Sequence, residues 1–169
     1  LSFSASTNND KIGVIFFSDK IEKYIPANKG KTHILRIIRE LVTLKPVGTK
    51  TDIAQALKYL TNVVKKKSIV FVVSDFIDNN HYEDAIKIAN KKHDIVALEI
   101  YDKSEQEIPS IGLIKLRDFE TGETKWVDSS SKSFQHQLKL NRIAHEHRLK
   151  DTLNKAGVDH VRLRTDQPY

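Results

Sequence analysis

The chain has 169 residues, 39% of them hydrophobic, which suits one globular domain spanning residues 1–169 and calls for no second. Lysine and arginine number 28 against 22 acids, and the resulting net charge of +6 is spread along the whole length without interleaved aromatics, which argues against a nucleic-acid binder. Cysteine is absent, so disulfides and thiolate metal sites are excluded and a reducing cytoplasm is the expected setting.

No apolar run reaches the length of a membrane span, and "LSFSASTNND" lacks the build of a signal peptide, so no membrane insertion is expected. Methionine is missing even at position 1, and the sequence reads as a fragment. Residues 1–9 look like the tail of a helix. "KIGVIFFSDKIEKYIPA" gives two apolar runs around a tight turn at Asp19 and Lys20, which predicts a hairpin. "THILRIIRELVTL" (32–44) places Ile34, Leu35, Ile38, Leu41 and Val42 on one helical stripe, with Thr32 as its cap. Pro46 and Gly48 close that helix. A second stripe, Ile53, Ala56, Leu57, Leu60, Val63 and Val64, runs into the solvated Lys65, Lys66 and Lys67.

"SIVFVVSDF" is too short for a helix and too apolar for an exposed strand, which predicts a buried parallel strand. A helix over 81–92 with Tyr82, Ala85, Ile86 and Ala89 inward, and a second strand, "DIVALEIYD", complete a βαβ rhythm. Residues 111–128 alternate apolar and polar about a "TGE" turn, an antiparallel hairpin near a sheet edge with Trp126 as packing. A polar helix over 132–156 stops at Gly157, and "DHVRLRT" is the last strand. The expected fold is α/β, a doubly wound, mostly parallel sheet with helices on both faces and an added hairpin.

In such a sheet, ligands bind at the carboxyl ends of the strands. Ser18 and Asp19 end the first strand, Ser74 and Asp75 the buried one, and "GTKTDIAQAL" contributes Thr49, Thr51 and Asp52 at the start of a helix. One oxygen suffices to cap a helix, so this turn carries more than it needs. Hard oxygen ligands of this kind suit Mg²⁺ or Mn²⁺. Plainer readings make Thr51 an N-cap, Asp52 a partner of the helix dipole, and Asp19 and Asp75 turn residues. His145 and His147 are two apart, on different helix faces, and with His136 they make no helical metal pair, which needs a spacing of three or four.

"DKIGVIFFSDKIEKYIPA", "GTKTDIAQALKYL" and "SIVFVVSDFID" together resemble the second half of a von Willebrand factor A domain, most closely the uncharacterised bacterial branch encoded beside MoxR-type AAA+ ATPases. The resemblance extends to "DFETGET" and "AGVDHVRLRTD". It implies a metal-ion-dependent adhesion site in which Thr51 supplies a hydroxyl and Asp75 a carboxylate. Ser18, Asp19, Thr49, Asp52, Ser74 and Asp78 would line the surrounding partner-binding rim. The D-x-S-x-S segment of that site has no match here, so three of five expected side-chain ligands are missing. Mg²⁺ or Mn²⁺ is then expected in the longer protein and not in this fragment.

The leading functional expectation is a protein-interaction module, not an enzyme, serving a MoxR-type AAA+ ATPase. The alternative is a metal-dependent phosphotransferase using Asp75. Such sites want a second acid two residues on, whereas Asp75 is followed by Phe76, Ile77 and only then Asp78. The resemblance also implies that the first central strand, between residues 12–17 and 69–75, is missing, leaving open edges through which the fragment could form a homo-oligomer.

Overall fold

A computed structural model of the chain describes residues 7–102, 108–117 and 124–167. The helix expected at 1–9 lies outside these except for its end at Thr7, and the "TGE" turn lies outside them as well.

β1 (Ile12–Phe17) and β2 (Ile21–Asn28) form the predicted antiparallel hairpin, with Ile15 opposite Tyr24 and Val14 opposite Ile25. α1 (Lys31–Thr43) begins one residue earlier than expected, and Gly30 at φ 97°, not Thr32, occupies its cap position. Its buried residues are Ile34 and Ile37, whereas Leu35, Leu41 and Val42 are exposed, which corrects the expected stripe. The reason is visible in two polar anchors. His33 Nε2 meets the Ile12 carbonyl at 2.8 Å and Lys23 Nζ meets Glu40 Oε2 at 2.6 Å. Residues 33, 37 and 40 share a helix face, so these contacts turn Ile37 inward and leave Val42 outside, while Leu41, one turn beyond Ile37 on that face, is exposed in the last turn of the helix.

α2 (Ile53–Val63), α3 (Glu83–Lys92) and α4 (Lys132–Ala156) pack against a parallel sheet of β3 (Ile69–Ser74), β4 (Asp94–Tyr101) and β7 (Asp159–Arg164), in the order β3-β4-β7. Pairing runs Val73 to Leu98 to Val161. α4 ends as predicted at Gly157, whose φ of 65° is the left-handed conformation that closes a helix. Ile53, Leu57, Ile86, Ala89, Ile95, Ala97, Leu149 and Leu153 form the centre of the core. Full burial of each large aliphatic side chain stabilises by about 1.5–3 kcal/mol.

The helices supply the core on the Val72, Ile95 and Ala97 side of the sheet. On the opposite side Ile69, Phe71, Val73 and Val161 are exposed, which corrects the expectation of a strand buried on both faces. β1 and β3 do not pair, so hairpin and sheet remain separate. The hairpin instead docks against α2: Tyr24 and Tyr59 meet edge-on with centroids 5.8 Å apart, and Ile15 and Phe17 pack on the core. β5 (Leu113–Arg117) and β6 (Thr124–Asp128) form their own antiparallel sheet, on which Trp126 is exposed and not packing as expected. The architecture is mixed α/β, a three-stranded parallel sheet with two antiparallel hairpins.

Candidate functional site

Three chain segments meet at the carboxyl rim of the strands. The first follows β1. Ser18 is buried, and its hydroxyl donates to Glu22 Oε1 at 2.6 Å. The same carboxylate oxygen accepts the backbone N–H groups of Val47 (3.0 Å) and Gly48 (2.7 Å), tying the turn after α1 to the hairpin. These hydrogen bonds, the Ser18 hydroxyl first among them, hold the Glu22 carboxyl below its usual range. Glu22 was not anticipated from sequence, where it reads as one more polar residue in an alternating strand.

Gly48 is required at this contact. A Cβ there would lie 1.9 Å from Asp19 Oδ1 and 2.1 Å from Ser18 Oγ, so the turn approaches the hairpin more closely than any side chain allows. The Ser18 carbonyl accepts the Asp52 N–H at 3.0 Å, which brings the second segment, residues 48–53, onto the same rim.

Asp52 is the N-cap of α2, accepting from the Gln55 N–H at 2.7 Å. The N–H of Ile53 is taken by Asp78 Oδ2 at 2.8 Å. Asp78 belongs to the third segment, the loop after β3, and so does Asn80, whose amide donates to the Thr51 carbonyl at 3.3 Å. With two carboxylates committed to the first turn, Thr51 is not the cap. Its hydroxyl makes no hydrogen bond among the described residues, and the residue is half-buried.

Asp75 sits where β3 ends. Oδ1 accepts the Ile77 N–H at 3.0 Å and lies 3.4 Å from the Ser74 hydroxyl, while Oδ2 has no partner among the described residues. Ser74 Oγ accepts the Phe76 N–H at 3.0 Å. The turn is sharp: Phe76 adopts φ 57°, a left-handed conformation rare for a bulky residue, which costs about 1–2 kcal/mol and persists because its ring is 1% exposed in the core. Tyr82 packs beside it, centroids 6.4 Å apart. Burial, reinforced by the Glu83 and Asp78 carboxylates, pushes the Tyr82 phenol up to about 12, so it stays protonated.

Of the residues singled out from sequence, Ser18, Asp19, Asp52, Ser74 and Asp78 thus shape the rim through internal hydrogen bonds. Thr51 and Asp75 retain free oxygens. Thr49 is exposed on the connecting turn.

The model of the family described as "Protein of unknown function DUF58" matches residues 1–148. The chain belongs to the DUF58 family. An uncharacterised protein of Mycobacterium tuberculosis is 22% identical over 171 residues, covering 100% of this chain and 54% of its own length. One of Mycobacterium avium is 25% identical over 147 residues, 86% of each. This DUF58 chain therefore spans about half the length of the first curated relatives it matches. Its fold is shared with the conserved hypothetical protein BatB of Bacteroides thetaiotaomicron, at TM-score 0.55 and 17% identity, over 96% of this chain and 77% of that one. An aerotolerance-related membrane protein of Bacteroides fragilis gives TM-score 0.55 at 14% identity, over 93% and 73% of the two chains. No helix among the described residues of the DUF58 chain is long and apolar enough to cross a membrane.

Proposed function

We propose that the carboxyl rim is one half of a metal-ion-dependent protein-interaction site of the von Willebrand factor A type. The observation that carries this reading is the division of labour among its oxygens. Asp52 and Asp78 satisfy the first turn of α2, and so free the Thr51 hydroxyl from capping. Asp75 uses one oxygen to close its own turn and keeps the other. A hydroxyl and a carboxylate are hard donors that fit Mg²⁺ or Mn²⁺, and two such groups leave most of the coordination shell to other residues and water. On this reading the remaining side-chain ligands come from a D-x-S-x-S segment outside residues 1–169. A bound cation keeps one position open for an acidic side chain of a partner, for which the company of the resembled branch suggests a MoxR-type AAA+ ATPase in the cytoplasm. The protein's own residues then bind and orient, and no bond is broken.

The test uses the longer protein that carries the upstream segment. Calorimetry with Mg²⁺ and Mn²⁺ should give a saturable site that Asp75→Ala abolishes and Thr51→Val weakens. Capture of the neighbouring ATPase should require the cation and be lost in chelator. Capture that is equal in Mg²⁺ and chelator, and unaffected by Asp75→Ala, would refute the reading.

A further inference from the structure

The opposite rim of the sheet carries the reverse charge. α2, α3 and α4 all run back to the amino ends of β3, β4 and β7, and each crossover delivers lysines there. Lys65, Lys66 and Lys67 follow α2, Lys91 and Lys92 form the last turn of α3, and Lys155 lies in the last turn of α4. The three crossovers touch. The Asp94 N–H donates to the Ser68 carbonyl at 2.9 Å, Lys92 Nζ donates to the Thr61 carbonyl, and the Asn90 amide donates to the Gly157 carbonyl at 2.8 Å. Strands lie about 4.8 Å apart, so the six lysines gather within a patch on the order of 20 Å across.

A lysine at a helix end complements the helix dipole, which accounts for Lys91, Lys92 and Lys155 one at a time. It does not account for their convergence with three more beyond the end of α2. Lys65, Lys66, Lys67, Lys91 and Lys155 are exposed and make no ion pair among the described residues; the acids nearest in sequence are Asp94, Asp159 and Asp151, the last one turn before Lys155 on α4, which leaves the six lysines in excess. Like charges held together without partners repel, and that repulsion is relieved by an anionic surface.

We propose that this amino rim docks on a membrane surface through anionic phospholipid headgroups. The chemistry favours lipid over nucleic acid. All six cations are lysine ammoniums, point charges without the planar fork of arginine, and the three crossovers expose no aromatic ring for base stacking. Ile69, two residues after Lys67 and 66% exposed, adds an apolar side chain at the same rim. Docked in this way, the molecule holds Thr51 and Asp75 about 20 Å above the lipid, the length of a six-residue strand, facing away from it.

Sedimentation of the chain with phosphatidylcholine vesicles, with and without 30% phosphatidylserine, tests the proposal. Partition should be at least tenfold stronger onto the anionic vesicles and should fall when salt is raised from about 50 to 500 mM. Each lysine near the surface contributes about a fivefold factor, so the joint change of Lys65, Lys66, Lys67, Lys91 and Lys155 to Gln should lower partition at least tenfold. A control changing Lys20, Lys45 and Lys50 to Gln, exposed and flanking the carboxyl rim, should lower it much less. Equal binding to both vesicle types overturns the proposal. So does an equal loss in the control, or duplex DNA competing fully at the same concentration of negative charge.

Discussion

Asp78 Oδ2 accepts the Ile53 N–H at 2.8 Å, so the first turn of α2 is held by an acid 25 residues downstream, in the loop after β3. The contact makes α2 and the end of β3 one mechanical unit. Asp78→Ala should therefore cost about 1–2 kcal/mol, the range of a lost cap. Thr51→Val removes a hydroxyl with no partner and should change stability by less than about 0.5 kcal/mol. Urea denaturation of the two variants separates them, and a Thr51→Val loss as large as that of Asp78→Ala would make the hydroxyl structural.

Gly48 is the tightest point of the rim. Gly48→Ala forces its new methyl onto Ser18 and Asp19, and the turn must retreat from Glu22. The expected cost is about 1–3 kcal/mol, with a lower midpoint in thermal unfolding. Ser18→Ala, which removes the hydrogen bond to Glu22 and the longer one from the Lys20 N–H without a clash, should cost less.

Two groups with lowered pKa shape the acid limb of stability in different windows. Glu22 titrates lower in the folded state than its ordinary 4.5, so its contribution is present above that value and is lost as pH falls through the folded one. His93 is 1% exposed, with neither ring nitrogen hydrogen-bonded, and burial followed by the Lys92 charge lowers its pKa from 6.5. The unfolded chain takes up that proton first, so stability falls as pH drops below about 6.5. Denaturation midpoints of His93→Leu should lose the slope just below pH 6.5 and keep the one below 4.5. Glu22→Gln should do the reverse.

Glu99 is 5% exposed on β4, and its Oε2 meets His160 Nε2 at 2.8 Å and Arg162 Nε at 3.0 Å. Arg162 also reaches Glu146 on α4 at 3.2 Å and stacks over Tyr101 at 4.6 Å. Glu99→Gln leaves a cation without its buried partner. Because Arg162 is about a third exposed, water compensates in part, and the expected loss is about 1–3 kcal/mol. Adding Arg162→Leu should recover part of it, read as a positive coupling in a double-mutant cycle.

Periodicity made most of this fold legible. The stripes of α2 and α3, the Gly157 stop and the two strands that alternate with helices all stand where their residue patterns put them, because each pattern meets a partner surface wide enough to use it. α1 departs from its pattern, since two long-range polar anchors at His33 and Glu40 choose which apolar residues face the hairpin, and no local signal encodes them. The apolar run 69–73 suggested burial on both faces, but a sequence cannot say which face the helices will take. At the rim, residue types pointed to the right turns, yet the capping roles were exchanged. Thr51, Asp52 and Asp78 can all cap by chemistry, and only the loop after β3 decides which of them does it.

The parallel sheet also sets the tempo of folding. β4 pairs with β7 through Glu99 and Arg162, across the β5–β6 hairpin and all of α4, so the contact closes a loop of about sixty residues. Pairings this distant in sequence form late and slowly. A nascent chain that has extruded β3 and β4 but not yet residue 164 holds an apolar strand whose β7 side is bare, and a carboxylate still waiting for its histidine and arginine partners. A ribosome that pauses within α4 prolongs that interval, in which neighbouring chains can pair along β4 as well as along β3, the edge that stays open in the finished sheet.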